Sequence, residues 1–159
     1  MRYEIRKRED GKRAIFDKDG NMITKEWYDY VSLSGLIEGQ SPYYIAVKDG
    51  KYAIFDKDGN QITPEWFDDI RTDGLVKGES DYYVVRKDEK EAIFDKDGNQ
   101  ITDWFDRIGE DGLVKGQSKY YRVVKIVVND SKWAIFDFDG NMITPKWFDY
   151  ISSFGFVDG

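Results

Sequence analysis

The word Ala-Ile-Phe-Asp occurs four times in this chain, starting at Ala14, Ala53, Ala92 and Ala134, so the copies follow one another at steps of 39, 39 and 42 residues. A unit of about forty residues cannot bury a hydrophobic face alone, so units that recur at a fixed step complete their core by stacking on their neighbours. The surrounding words recur as well. A Trp-aromatic-Asp word follows at Trp27-Tyr28-Asp29, Trp66-Phe67-Asp68, Trp104-Phe105-Asp106 and Trp147-Phe148-Asp149. A Gly-apolar-apolar-X-Gly word closes each copy, beginning at Gly35, Gly74, Gly112 and Gly155. Four whole units, roughly 1–41, 42–80, 81–118 and 119–159, fill the 159 residues as a single repeat domain.

The unit reads as β structure. Tyr43-Tyr44-Ile45-Ala46-Val47 and Tyr52-Ala53-Ile54-Phe55 are short runs of strand formers, with Asp49-Gly50, a hairpin turn signal, between them. A second turn at Lys57-Asp58-Gly59-Asn60 leads into Gln61-Ile62-Thr63. Both faces of these runs carry apolar residues, which predicts cover on both sides by stacked neighbours. The expected fold class is all-β, four tandem β-hairpin repeats in an open stacked array. The alternative is a closed, propeller-like ring of four units. Copy one favours the open form. It places Glu4 and Arg6 where copy two has Tyr44 and Ala46, a charged face suited to an array end. Copy four departs differently, with a longer first hairpin through Ile126-Val127-Val128.

Composition narrows the chemistry. There is no cysteine and no histidine, which removes disulfides, thiolate nucleophiles, the commonest zinc ligands and the usual general base near neutral pH. The net charge of −7 speaks against nucleic acid as a partner, because phosphate contacts need clustered Lys and Arg. No stretch has the length of a membrane-spanning helix, and Met1-Arg2-Tyr3-Glu4-Ile5-Arg6 has no apolar signal region, so a cytoplasmic chain without membrane insertion is expected.

The recurrent acids invite two further readings. The pairs Asp17/Asp19, Asp56/Asp58, Asp95/Asp97 and Asp137/Asp139 suggest calcium. A calcium loop needs an oxygen ligand first and a Glu six residues after its Gly. Ile15, Ile54, Ile93 and Ile135 hold the first position, and Glu26, Glu65, Trp104 and Lys146 the last, so no copy has the full pattern. Tight turns are expected instead, with no metal and no cofactor. Asp29, Asp68, Asp106 and Asp149 could pair for glycoside chemistry, yet a catalytic site is unique and these acids recur in every copy. The expectation is a chain that is not an enzyme.

Two features remain as binding candidates. Tyr44, Tyr83 and Tyr121 recur in step and could form an exposed aromatic row, as could the repeat tryptophans, against core packing as the alternative. Ile126, Val127 and Val128 could form an apolar hairpin tip, or close over the array end. Buried tyrosines with an exposed tip would favour a protein partner, and an exposed aromatic row would favour carbohydrate.

Lys51-Tyr52-Ala53-Ile54-Phe55-Asp56, then Gly59, Ile62, Pro64, Trp66, Asp68-Asp69-Ile70 and Gly74-Leu75, resemble the bacterial WG β-repeat family. The resemblance covers nearly the whole chain at matching period. Where that pattern has aromatic-Gly, this chain has Arg13-Ala14, Tyr52-Ala53, Glu91-Ala92 and Trp133-Ala134. The resemblance implies an array of β-hairpins, often attached to other domains, with no shared catalytic residue. Lys132-Trp133-Ala134-Ile135-Phe136-Asp137 and Gly140-Asn141-Met142-Ile143-Thr144 are also similar to one hairpin of choline- and glucan-binding cell-wall repeats. The expected function is a non-catalytic protein-interaction scaffold or inhibitor with an acidic, aromatic-dotted surface. The alternatives are carbohydrate or cell-envelope binding, and an acidic inhibitor that mimics nucleic acid.

Overall fold

Turn chemistry places the strands. In the computed structural model, which describes residues 2–152, β1 (Tyr3–Lys7) and β2 (Arg13–Asp17) form the first hairpin. The short strand β3 (Tyr30–Val31) leads to the second, β4 (Tyr43–Lys48) with β5 (Lys51–Asp56). In the same way β6 (Asp69–Ile70) precedes β7 (Tyr82–Lys87) and β8 (Lys90–Asp95), and β9 (Arg107–Ile108) precedes β10 (Tyr120–Val127) and β11 (Asp130–Asp137). Asp49 and Gly50 have φ of 53° and 76°, the mirror-image turn whose twist matches the flanking strands. The described residues contain no helix, and so none long and apolar enough to cross a membrane. The fourth copy's closing word at Gly155 lies outside the described residues.

The Trp-aromatic-Asp word joins one copy to the next. Tyr28 exchanges two backbone hydrogen bonds with Arg13 of its own hairpin, at 2.7 and 2.8 Å. Two residues later Tyr30 and Val31 pair with Val47 and Ala46 of the following hairpin. Each of the three later sheets therefore straddles a copy boundary, in the orders β3-β4-β5, β6-β7-β8 and β9-β10-β11, while β1-β2 stands as two strands. Among the described residues the sheets are small and antiparallel, with no closed barrel. The array is thus open, and the ring alternative is set aside.

The aspartate of the same word fixes the join. The Asp29 carboxylate accepts from the Lys12 ammonium at 2.8 Å and from the backbone N–H of Asp49, in the next hairpin's turn, at 2.9 Å. Asp68 does the same with Lys51 and the Asp88 N–H, and Asp106 with Lys90 and the Ile126 N–H. The recurrent acids thus work as turn anchors. In the Asp-X-Asp-Gly-Asn turns, the Asp17 carboxylate accepts from the N–H groups of Asp19 and Asn21 and from the Asn21 amide, and Asp56, Asp95 and Asp137 repeat this.

The core is built around the phenylalanine of each Ala-Ile-Phe-Asp word. Phe55 packs against Tyr44 of its own hairpin, Tyr28 of the preceding copy and Trp66, with ring centroids 5.7–6.0 Å apart. Phe94 is set likewise among Tyr83, Phe67 and Trp104, and Phe136 among Tyr121, Phe105 and Trp147. Such pairs add about 0.5–1.5 kcal/mol each beyond the area they bury. The alanines at the resemblance family's glycine position, Ala14, Ala53, Ala92 and Ala134, are fully buried. Copy one has no preceding aromatic. There the Arg6 guanidinium lies 4.2 Å from the Phe16 ring centroid and pairs with Glu4.

One join carries a buried charge. Glu91 stands where other copies have Arg13, Tyr52 and Trp133, and it is 3% exposed. Arg71 of the preceding copy meets both its carboxylate oxygens at 2.9 Å, Arg86 adds a contact at 3.3 Å, and the Ile108 N–H donates at 2.8 Å. Arg71 also reaches the Ile108 carbonyl and Glu110, so the cluster ties copies two and three together.

Two substitutions test this account. A Cβ on Gly78, at φ 74°, would sit 2.2 Å from the Gln40 carbonyl of the preceding copy, whereas one on Gly11, at φ 88°, would meet nothing within 4 Å. Gly78→Ala is expected to destabilise by about 2–3 kcal/mol, through overlap as well as strain, and Gly11→Ala by about 1 kcal/mol, through strain alone. Urea unfolding measures both. Arg71→Ala strands the Glu91 charge and is expected to cost about 3 kcal/mol, part of which returns when Glu91→Gln is added.

Candidate functional site

Tyr44, Tyr83 and Tyr121 are not an exposed row. Each is 0% exposed, so the expectation that they present themselves to a partner is corrected. The cause is the phenylalanine hub. Their rings stack on Phe55, Phe94 and Phe136 at interplanar angles of 17°, 21° and 19°. Burial pushes all three phenols well above their ordinary range. Tyr28 is pushed up to about 12 by burial first, with the Glu26 charge adding to it. The repeat tryptophans Trp27, Trp66, Trp104 and Trp147 are half-buried. Each lies against the phenylalanine of its own copy.

Ile126, Val127 and Val128 lie on the surface, with Val128 92% exposed. Strands β10 and β11 have eight residues each, against six in β4 and β5. The register shows where the addition lies. Asp106 accepts from the N–H of Ile126, as Asp29 and Asp68 accept from the turn residues Asp49 and Asp88. The regular hairpin length therefore ends at Ile126, and the residues beyond it extend the fourth hairpin past its neighbours. At the tip Val128 and Asn129 have φ of 48° and 63°. Asp49 and Asp88 fill the equivalent turn position in the second and third hairpins. A β-branched residue in that left-handed region is strained, and here its side chain lies in solvent rather than in a core.

The sequence carries a second departure that periodicity hides. From the repeat threonine to the repeat tryptophan is three residues in copies one, two and four, but Thr102-Asp103-Trp104 is one residue short. The 42-residue step is therefore an extension of four in the hairpin and a loss of one here. In copy one Lys25 lies over Gly59 of the next copy, where a Cβ would come within 2.5 Å of it. In copy two Pro64 and the Ile62 carbonyl lie beside Gly98, at 3.8 and 3.5 Å from such a Cβ. In copy three that residue is missing, and nothing lies within 4 Å at Gly140. A cleft of about 570 Å³ opens between copies three and four, lined by Gln100, Asp103, Phe105, Tyr121, Phe136 and Asp139 among others.

No protein-family model matches the chain, and no curated protein matches it in sequence.

Buried phenols report on the hub directly. A raised native pKa favours the folded form below the unfolded value near 10, and this contribution is lost as pH rises through the native value. In a spectrophotometric titration Tyr28, Tyr44, Tyr83 and Tyr121 are expected to ionise late, in step with loss of the aromatic circular dichroism signal and not before it. Early ionisation of all eleven tyrosines in a chain that stays folded would contradict this burial.

Proposed function

We propose that this chain is a non-catalytic protein-interaction module whose primary contact is the apolar tip at Ile126, Val127 and Val128. The observation that carries the reading is Val128, a strained β-branched residue held 92% exposed at a turn where the equivalent positions are Asp49 and Asp88. An exposed Val there contributes nothing to a core and costs conformational strain, so a contact made outside the chain accounts for it. Around the tip lies an acidic protein, net −7, whose charge would speed encounter with a basic or amphipathic partner more than it would raise affinity. The resemblance to WG repeats, which often accompany other domains, agrees with such a scaffold or inhibitor role.

The carbohydrate reading has less support. The tyrosine row it needs is buried, and each tryptophan has a face against the core phenylalanines. Mimicry of nucleic acid would need a more one-sided charge than 31 acidic against 24 basic residues.

Val128→Asn separates strain from contact. Asn accepts the left-handed turn conformation, so the variant is expected to be more stable than the parent by about 1 kcal/mol in urea unfolding. It is also expected to lose the protein partner that the parent retains in cross-linking and co-purification. Retained partner binding by both Val128→Asn and Val127→Ser would remove the tip from the interface.

A further inference from the structure

We infer that the cleft between copies three and four receives the guanidinium or ammonium end of an Arg or Lys side chain from a protein partner. Its volume of about 570 Å³ falls within the roughly 300–1,000 Å³ range of ligand pockets. It exists because copy three lacks the residue that Lys25 and Pro64 supply at the other two joins, leaving Gly140 open. Asp103 and Asp139 line it, neither has an ion-pair partner among the described residues, and no Lys or Arg is in the lining. The rings of Phe105, Tyr121 and Phe136 complete it. The Tyr121 side chain is fully buried in the wall of the cleft. The Gln100 amide nitrogen donates to the Thr102 carbonyl at 2.7 Å, which leaves the amide oxygen as a further acceptor.

These groups select the ligand chemistry. Two carboxylates repel an anion. A hard metal ion needs about six oxygen ligands, and the described residues hold no group of three acids placed to supply them. An N–H cation on an aliphatic stem satisfies all the groups at once. It donates to the carboxylates and the Gln100 oxygen, while its charge and stem lie against the Phe105 and Phe136 rings. A quaternary ammonium has the charge without the donors, and so meets only half the site. The cleft lies at the opposite end of the fourth hairpin from Val128, about 25 Å away for an eight-residue strand, and its binding does not depend on the tip.

Nuclear magnetic resonance titration tests the inference. The probes are the peptide Ac-Gly-Ala-Arg-Ala-Gly-amide, its lysine and citrulline counterparts, butylguanidinium and tetramethylammonium. The Arg and Lys peptides are expected to give saturable shifts at Phe105, Tyr121 and Phe136, and to bind more tightly than butylguanidinium, while the citrulline peptide and tetramethylammonium do not. Asp103→Asn and Asp139→Asn are each expected to weaken binding about tenfold, as loss of one charge-assisted hydrogen bond would. Proline inserted between Thr102 and Asp103 restores the spacing of copy two and should abolish binding. If that insertion unfolds the chain, the two surface Asn variants still decide the matter. Val128→Asn should leave cleft binding unchanged, so the two sites fail separately. Absence of saturable shifts, equal binding by citrulline or tetramethylammonium, or binding of butylguanidinium with exclusion of the peptides would each overturn the inference.

Discussion

Everything in this array hangs on a ring-to-ring contact across each join. The phenylalanine of one copy meets an aromatic residue of the copy before it, at 5.7 Å for Tyr28 and Phe55, 5.2 Å for Phe67 and Phe94, and 5.3 Å for Phe105 and Phe136. A two- or three-stranded antiparallel sheet is marginal alone, and these sheets gain stability from the apolar area sealed between them. Backbone pairing and ring packing are coupled, because one short word supplies both. Tyr28 bonds Arg13 through its backbone, packs on Phe55 through its ring, and is followed by the aspartate that holds the next turn. Weakening any part of that word would loosen two hairpins at once.

The hairpins were legible because turn residues and strand formers alternate at a fixed step. The predicted strands at Tyr43 and Tyr52 are β4 and β5, and the turn falls on Asp49-Gly50. The fate of the tyrosines was not legible. Both faces of these strands are apolar, so alternation cannot say which residue faces solvent, and only the neighbour's ring at Phe55 decides it for Tyr44. The Glu91 cluster was missed for another reason. A charge at an aromatic position reads as a tolerated exception until it is matched with Arg71, which stands where copies one and three have Ser32 and Gly109. The paired departures were the available signal. The cleft was hidden by arithmetic, since a loss of one residue vanished inside a net gain of three.

At the join of copies two and three the buried Glu91 adds a charge to the ring contact between Phe67 and Phe94. At other joins the corresponding residue is Tyr52 or Trp133, and apolar area holds the surfaces together. At this join Arg71, Arg86 and a backbone N–H surround a carboxylate. Such a cluster can stabilise less than well-packed rings would, but it punishes any register in which the charge is unmatched. In an array of near-identical units, where copies two and three could slip by one repeat with little change in burial, a matched charge found at one join distinguishes the native stacking from the shifted one.

A repeat array also constrains where function can reside. A group present in every copy is committed to the joins, as Asp29, Asp68 and Asp106 are, and altering it would disturb the fold. Freedom belongs to positions where a copy departs from the others without touching the hub. Both length changes, the four-residue extension and the one-residue loss, act on the ends of the fourth hairpin, while Phe136 keeps its contacts with Phe105, Tyr121 and Trp147 at 5.3, 6.1 and 6.1 Å. That join has the same ring geometry as the regular ones, yet the cleft of about 570 Å³ opens at one end of it and the strained apolar tip stands at the other. The hub therefore absorbs the change in length, and the surface above it is free to become specific.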